Sequence, residues 1–335
     1  MNEQDILGIQ NLLSTPKRIV IIPHRSPDGD AMGSTLALCH LLEKLRQNPV
    51  VIAPNEFPDF LAWLPGSEKV LIFEKDKERV GKIILEAEVI FTLDFNALHR
   101  TGEMEHTLNK STADFIMIDH HQSPDSYARY MYSDTKYGST CEMVYNFITQ
   151  LGYNDLIDKT IASCLYTGIV TDSGSFRFPS TTSSTHRVVA DLIDKGVENG
   201  AIHNNLFDNS SYHSLLLLGR ALQNMKIIAD KNTCYITLTQ EELDTHNYVK
   251  GDTEGIVNYA LRIKGIIFAA IFIENAEEKI VKISFRSQGK FDVNAFAREY
   301  FHGGGHINAA GGKSNLSLAE TAAKFEDIIN RIEIN

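Results

Sequence analysis

The sequence predicts a two-domain α/β protein whose first domain is a doubly wound, mostly parallel sheet. Short apolar runs alternate with segments of helical periodicity in the first half, as expected when crossover helices join parallel strands. After about residue 226 the pattern changes, which predicts a smaller C-terminal α/β domain. A chain of 335 residues is long enough for both. We expect the domains to cover residues 1–190 and 229–335, with residues 191–228 as a helical connector.

The first domain is expected to contain five strands. The run at 89–93 is almost entirely apolar, which is typical of a parallel strand buried on both faces. The predicted strands cover residues 18–23, 50–53, 70–73, 89–93 and 115–118. The predicted helices cover residues 5–15, 31–46, 76–86, 138–151 and 155–170, followed by a loop at 176–185 and a helical stretch at 186–225.

The second domain is expected to contain three strands and three helices around a glycine-rich segment at 301–312. The predicted strands cover 233–238, 266–273 and 280–285, and the predicted helices cover 254–261, 293–300 and 318–332. We expect the Asn-Ala-Ala sequence from Asn308 onward to be helical. A helix beginning there would present its N-terminus to an anion.

Composition limits the class of protein. Apolar residues make up 43% and charged residues 22%, as in ordinary globular chains. The net charge of −11 argues against binding long duplex nucleic acid, although a short anionic substrate is compatible with it. Four dispersed cysteines are expected to be buried thiols. The N-terminal residues are polar and acidic, unlike a signal peptide, and no apolar run reaches membrane-spanning length, so we expect a cytoplasmic protein that does not bind membranes.

Acidic and imidazole side chains follow three of the predicted strands at the point where each strand ends. They are His24, Asp28 and Asp30 after the first strand, Asp94 after the fourth, and Asp119, His120 and His121 after the fifth. Asp172 lies at the end of a predicted helix. Because ligands of open α/β sheets bind at the carboxyl ends of the strands, we expect these side chains to converge.

Carboxylates and imidazoles without thiolates suit divalent ions such as Mn²⁺, and Mg²⁺ is an alternative where oxygens dominate. Converging carboxylates would repel one another unless cations neutralised them. Two ions would neutralise these charges. They would also stabilise the attacking and the leaving oxygen of a displacement at phosphorus. Taken singly, some of these residues also fit structural roles. Asp94 could cap a helix, Asp172 could form a turn, and His24 could have a structural role. The ordered set together predicts a two-metal site.

The same residues resemble the DHH phosphoesterases. Asp119–His121 after an apolar strand is the signature for which that family is named, and the His24–Asp30 turn, Asp94 and Asp172 resemble its other metal-binding motifs. Gly303–His306, with the small residues at 309–312, resembles the substrate-binding motif of the associated DHHA1 domain. The resemblance spans residues 16–332.

The resemblance implies a role for each ligand, with the active site in the cleft between the domains. One metal would be held by His24, Asp28 and Asp94. The other would be held by Asp30, Asp94, His120 and Asp172, so that Asp94 bridges the two. His121 would face the substrate phosphate, and Asp119 would orient one of the adjacent histidines. A water activated by both metals would be the nucleophile.

Substrate binding is expected to involve both domains. Gly303, Gly304 and Gly305 would let backbone amides approach a phosphate, and His306 would add a side-chain donor. Arg286 resembles a family arginine that grips phosphate, Arg100 is a second candidate and Arg262 a weaker one. The aromatic candidates for base stacking, each equally compatible with packing, are Tyr137, Phe176 and Phe178.

The chain resembles the stand-alone oligoribonuclease and pAp phosphatase branch of this family. That resemblance implies hydrolysis of short RNA or DNA oligonucleotides to 5′-mononucleotides, removal of the 3′-phosphate from pAp, and dependence on Mn²⁺. The sequence leaves a homodimer open. The alternatives are a stand-alone phosphodiesterase for cyclic di-AMP or pApA, a pyrophosphatase or exopolyphosphatase, and a catalytically inactive nucleotide-binding regulator.

Overall fold

A computed structural model describes residues 1–334 of the chain. The chain divides into two compact units, of which the first spans Met1–Asn209 and the second begins at Ser210. Each unit buries its own apolar clusters on the faces of its own sheet. The predicted two-domain α/β organisation is confirmed, while the proposed boundaries at residues 190 and 228 stay predictions.

The first unit is built on a six-stranded sheet in which all neighbouring strands are parallel. The strands are β1 (Arg18–Ile22), β2 (Asn48–Ala53), β3 (Leu71–Ile72), β4 (Val89–Leu93), β5 (Asp114–Asp119) and β6 (Tyr130–Ser133). Their order, β3-β2-β1-β4-β5-β6, reverses direction at β1, which is the doubly wound topology that the sequence predicts. Sequence reasoning missed β6, because this edge strand is short and only Tyr132 in it is buried.

Helices cover both faces of this sheet. They are α1 (Glu3–Leu12), α2 (Gly29–Lys44), α3 (Lys77–Glu86), α4 (Glu105–Leu108), α5 (Thr140–Gln150), α6 (Lys159–Asp172), α7 (Ser183–Asp194) and α8 (Asn199–Phe207). The predicted loop at 176–185 is wrong in its last part, because a capping box between Thr182 and Thr185 begins α7 there. The predicted helical stretch at 186–225 is divided into separate helices.

The second unit has a mixed six-stranded sheet in the order β11-β12-β10-β9-β8-β7. Its strands are β7 (Lys226–Ile228), β8 (Thr233–Leu238), β9 (Phe268–Asn275), β10 (Ile280–Ser287), β11 (Gly304–His306) and β12 (Ala309–Ser314). Only β8 and β9 pair in parallel. The helices are α9 (Tyr212–Gln223), α10 (Gln240–Thr245), α11 (Val257–Ala260), α12 (Val293–Tyr300) and α13 (Leu318–Arg331).

The glycine-rich segment forms an antiparallel hairpin of β11 and β12, so the helix predicted from Asn308 onward is wrong. Ile307 and Asn308 form the two-residue connection, and β12 continues the sheet by pairing with β10. Small residues are needed in this hairpin because the neighbouring backbone lies close. A Cβ on Gly303 would lie 1.8 Å from the Gly311 carbonyl oxygen. Close sheet packing has overridden the helical preference of the alanines.

Two expectations about composition are tested by the fold. All four cysteines are free thiols, and Cys141, Cys164 and Cys234 are buried as expected, while Cys39 is half-buried. Within residues 1–334, no helix has both the length and the apolar character needed to cross a membrane.

Candidate metal centre

The turn between β1 and α2 presents three of the predicted ligands. Asp28 caps α2, accepting hydrogen bonds from the amides of Asp30 and Ala31 at 3.0 and 3.1 Å. His24 Nδ1 donates to the Arg25 carbonyl at 2.9 Å. The ring therefore turns Nε2 toward the carboxylates, 3.8 Å from Asp28 Oδ2 and 3.5 Å from Asp94 Oδ2.

Asp94 lies directly after β4 in a left-handed conformation with φ of 65°. This conformation is uncommon for a residue with a side chain, and such strain is often found at functional sites. The two carboxylate oxygens face different histidines, because Oδ2 lies 3.5 Å from His24 Nε2 and Oδ1 lies 3.5 Å from His120 Nε2. Asp94 is 2% exposed and lies between two groups of potential ligands.

His120, which follows β5, is the centre of the second group. Its Nδ1 donates to the Tyr137 carbonyl at 3.2 Å, which orients the ring. Its Nε2 lies 3.2 Å from Asp172 Oδ2 and 3.8 Å from Asp30 Oδ2. Asp172 is the last residue of α6, so three separate elements bring these side chains together.

Asp119 orients His121 through two contacts. Its Oδ1 accepts a hydrogen bond from His121 Nδ1 at 2.7 Å, and its Oδ2 accepts one from the His121 amide at 2.9 Å. Asp119 is fully buried at the end of β5, so its position is fixed by the sheet. The imidazole of His121 is therefore held in one orientation, with a hydrogen on Nδ1.

The ligand atoms fall into groups of the size that a metal ion needs. The atoms of one group lie within 4.8 Å of one another and come from His24, Asp28 and Asp94. The ligand atoms of a second group also lie within 4.8 Å of one another, and they come from Asp30, His120 and Asp172. Carboxylate oxygens and imidazole nitrogens are donors that divalent ions accept, so the chemistry of this set fits two ions. The structure brings all six side chains together, and their assignment as ligands stays a prediction.

The electrostatics of the centre favour bound cations. Burial raises the pKa of Asp30 well above its ordinary value, and the charges of Asp94 and Asp172 raise it further. Burial also acts to raise the pKa of Asp94, but hydrogen bonds from His120 and His24 hold it well below its usual range. Burial lowers the pKa of His24, yet its hydrogen bond to Asp94 is among the contacts that raise it to about 8. Divalent ions would relieve the repulsion among these carboxylates.

The start of α5 contacts the centre, and sequence reasoning missed it. The amides of Thr140 and Cys141 donate to Asp30 Oδ2 and Oδ1 at 2.6 and 2.8 Å. The Thr140 hydroxyl donates to Asp94 Oδ1 at 2.9 Å. The one signal in the sequence was Ser139, a good N-cap, at the start of a predicted helix. Nothing local in the sequence indicates which carboxylates the helix would meet.

Close packing of α2 and α6 brings Asp172 near the other ligands. A Cβ on Gly168 would lie 2.6 Å from Asp30 Oδ1 and 2.2 Å from Cys141 Sγ. A Cβ on Gly29 would lie 2.5 Å from the Thr171 side chain. Both glycines therefore allow an approach that any larger residue would prevent.

The remaining candidates of the first unit lie on loops, except for Arg100. Arg100, within the short helical segment Leu98–Met104, accepts a hydrogen bond from the Arg25 amide through its carbonyl at 2.8 Å. Its charge also acts to lower the pKa of His24. Among the aromatic candidates, Tyr137 packs edge-on against Tyr132, and Phe176 packs edge-on against Tyr166.

The candidates of the second unit surround the hairpin of β11 and β12. The Gly303 amide donates to the Ala297 carbonyl at 3.1 Å, and the Gly305 amide donates to Asn294 Oδ1 at 2.9 Å. Both amides therefore already donate hydrogen bonds to groups of the same unit. His306 ends β11 and lies on the same face as Gly304, two residues before it.

The two candidate arginines of this unit differ in their surroundings. Arg286, near the end of β10, donates from Nη1 to the Phe285 carbonyl at 2.9 Å. The guanidinium of Arg262 lies 4.3 Å from the centre of the Tyr259 ring, which is a cation–π contact within the unit.

Comparison with known proteins identifies the family. Residues 18–169 match the DHH family, N-terminal domain, and residues 231–333 match the DHHA1 domain. The probable bifunctional oligoribonuclease and PAP phosphatase NrnA of Streptococcus mutans is 30% identical over 318 residues, 94% of this chain and 95% of that protein. The bifunctional oligoribonuclease and PAP phosphatase NrnA of Bacillus subtilis is 27% identical and covers 88% of both chains.

A solved structure agrees with this assignment over nearly the whole chain. The crystal structure of an exopolyphosphatase-related protein from Bacteroides fragilis has a TM-score of 0.93 and 40% sequence identity, covering 98% of this chain and 96% of that one. The resemblance to the DHH phosphoesterases is confirmed. This chain belongs to the DHH family and carries a DHHA1 domain in its second unit.

Proposed function

We propose that this chain is a two-metal phosphoesterase that hydrolyses short oligoribonucleotides to 5′-mononucleotides and dephosphorylates pAp to AMP. The observation that carries the proposal is the position of Asp94, whose two oxygens face the two groups of potential ligands. The bifunctional activity is the one named for the relatives from Streptococcus mutans and Bacillus subtilis, which match this chain over most of its length.

The proposed ions are Mn²⁺, with Mg²⁺ as the alternative, because imidazole nitrogens are mixed with carboxylate oxygens. His24, Asp28 and Asp94 would hold one ion. The other would be held by Asp30, Asp94, His120 and Asp172. When bound, such a pair of ions activates a water and neutralises charge on the phosphate.

The protein's own residues orient the substrate around that centre. Asp119 accepts the hydrogen of His121 Nδ1, so the substrate phosphate would meet His121 at Nε2. With a hydrogen on Nε2 as well, the ring would donate to a phosphate oxygen bound there, and this hydrogen bond would strengthen as negative charge develops on the oxygen. Arg100, whose carbonyl accepts from the amide of Arg25 next to His24, would supply a positive charge for the same phosphate.

In the second unit, we propose that residues 229–335 form the substrate-binding domain. His306 and Arg286 would hold a second phosphate or the nucleotide, and the glycines at 303–305 would let it approach the backbone closely. His306→Ala should then raise KM for pAp while the bound metal per chain stays at the wild-type value. His246→Ala is a matched control, because His246 ends α10 and donates to the Glu242 carbonyl, away from the hairpin.

The proposed substrates are short, since a net charge of −11 opposes binding to a long duplex. A cytoplasmic location follows from this proposal, because fragments of degraded RNA arise there.

The test is a substrate panel assayed with added Mn²⁺. It contains an RNA dinucleotide, pAp, pApA, cyclic di-AMP, pyrophosphate and polyphosphate, each also offered to the Asp94→Asn variant. We expect wild-type turnover of the RNA dinucleotide and pAp, with loss in the variant. Rapid turnover of cyclic di-AMP alone, or of pyrophosphate or polyphosphate alone, would contradict the proposal. Hydrolysis by the variant at the wild-type rate would show that the activity arises elsewhere.

A further inference from the structure

Thr140 contacts carboxylates from two different turns. It is the first residue of α5 and has no exposed surface. Its amide donates to Asp30 Oδ2 at 2.6 Å and its hydroxyl donates to Asp94 Oδ1 at 2.9 Å. These carboxylates lie 110 and 46 residues away in the sequence. A single residue therefore connects the turn after β1 to the turn after β4.

The backbone at the start of α5 is fixed by its own hydrogen bonds. The amides of Thr140 and Cys141 each donate to one oxygen of Asp30. The Glu142 amide donates to the hydroxyl of the N-cap Ser139 at 3.1 Å. Three successive donors at the start of this helix are thus satisfied, as a buried helix end requires. The direction of the Thr140 hydroxyl follows from this fixed backbone.

The hydroxyl bonds to a carboxylate whose rotation decides which groups its two oxygens face. Asp94 occupies a left-handed conformation at φ of 65°, which local preference does not favour. Its carboxylate must be rotated so that Oδ2 faces His24 while Oδ1 faces His120, each at 3.5 Å. A donor fixed on Oδ1 selects this rotation. Without it, the carboxylate could rotate away from one of the two groups.

We propose that Thr140 is a positioning residue, whose hydroxyl aligns Asp94 toward both metal positions and thereby raises the affinity for the ions. This inference rests on the proposed two-metal site. Partners that orient metal ligands contribute about 10- to 100-fold in affinity. We expect an effect of that size for removal of the hydroxyl alone.

The test compares Thr140→Val, which removes the hydroxyl and keeps the shape, with Thr140→Ser, which keeps the hydroxyl. Each metal-free protein is titrated with Mn²⁺ by calorimetry. Thr35→Val is the matched control, because Thr35 is also fully buried and helical, and its hydroxyl donates to the Ala31 carbonyl at 2.9 Å. We expect about 10- to 100-fold weaker binding for Thr140→Val only, with Thr140→Ser close to wild type.

Should Thr140→Val fail to fold, Thr140→Ala and Thr140→Ser provide the same comparison, because both lack the methyl group and differ only in the hydroxyl. Wild-type affinity in Thr140→Val or Thr140→Ala would overturn the inference. An equal loss in Thr35→Val would also overturn it, since the effect would then be general. Wild-type protein that binds no divalent ion would instead overturn the proposed metal site, which keeps the two failures distinct.

Discussion

Replacing Asp94 with asparagine should weaken both metal positions at once. Asparagine keeps the shape of the side chain and can still accept the hydrogen bond from Thr140. It removes the one negative charge that lies 3.5 Å from both His24 Nε2 and His120 Nε2. Breaking a buried charge pair costs about 3–5 kcal/mol. This corresponds to about a 10²- to 10⁴-fold weaker affinity for the ions.

The assay is calorimetric titration of metal-free Asp94→Asn with Mn²⁺, beside hydrolysis of pAp at saturating metal. Asp114→Asn is the control, because Asp114 starts β5 and pairs with Arg129 at the surface, at 2.8 Å. Such surface pairs contribute about 0–1 kcal/mol, so this control should bind the ions as the wild type does. Two ions bound by Asp94→Asn at wild-type affinity would refute the bridging role.

Three further predictions concern the surroundings of the centre. Asp119→Asn should leave metal content unchanged but lower kcat by about 10²- to 10⁴-fold, because asparagine keeps only one of the two acceptor oxygens that orient His121; an unchanged kcat would contradict that role. Gly303→Ala should lower Tm and raise KM for pAp, since its Cβ would lie 1.8 Å from the Gly311 carbonyl oxygen; unchanged thermal unfolding would show that the hairpin tolerates a side chain. Removing the ions by chelation should lower Tm in a calorimetric scan by about 5–10 °C relative to protein with Mn²⁺ at 100 times its Kd, because such binding stabilises by about 2.7 kcal/mol per site. An unchanged Tm would indicate that the native state binds no ion.

The sequence predicted the parts of the centre that follow from strand order. His24, Asp94 and His120 each come directly after a buried apolar run, and parallel strands place such positions at one edge. Their convergence could therefore be predicted without coordinates. The orientation of each ring could not, because it depends on carbonyls such as those of Arg25 and Tyr137.

Long-range contacts and close packing were not predictable from local patterns. Thr140 reaches Asp94 across 46 residues, and no periodicity indicates such a partner. In the hairpin, the local preference of the alanines is helical, and the glycines are locally flexible. The pairing of Ala309–Ser314 with β10 overrides it, because the sheet needs small residues where backbones approach. β6 was missed for a related reason, since an edge strand lacks the continuous apolar run of a central one.

The most direct test of the central claim is a crystal structure of the protein grown with Mn²⁺, with the ions located by their anomalous scattering. We expect two peaks about 3.5–4 Å apart with Asp94 between them. One ion should contact His24 and Asp28, and the other should contact Asp30, His120 and Asp172. A single peak, or two peaks that do not share Asp94, would contradict the account.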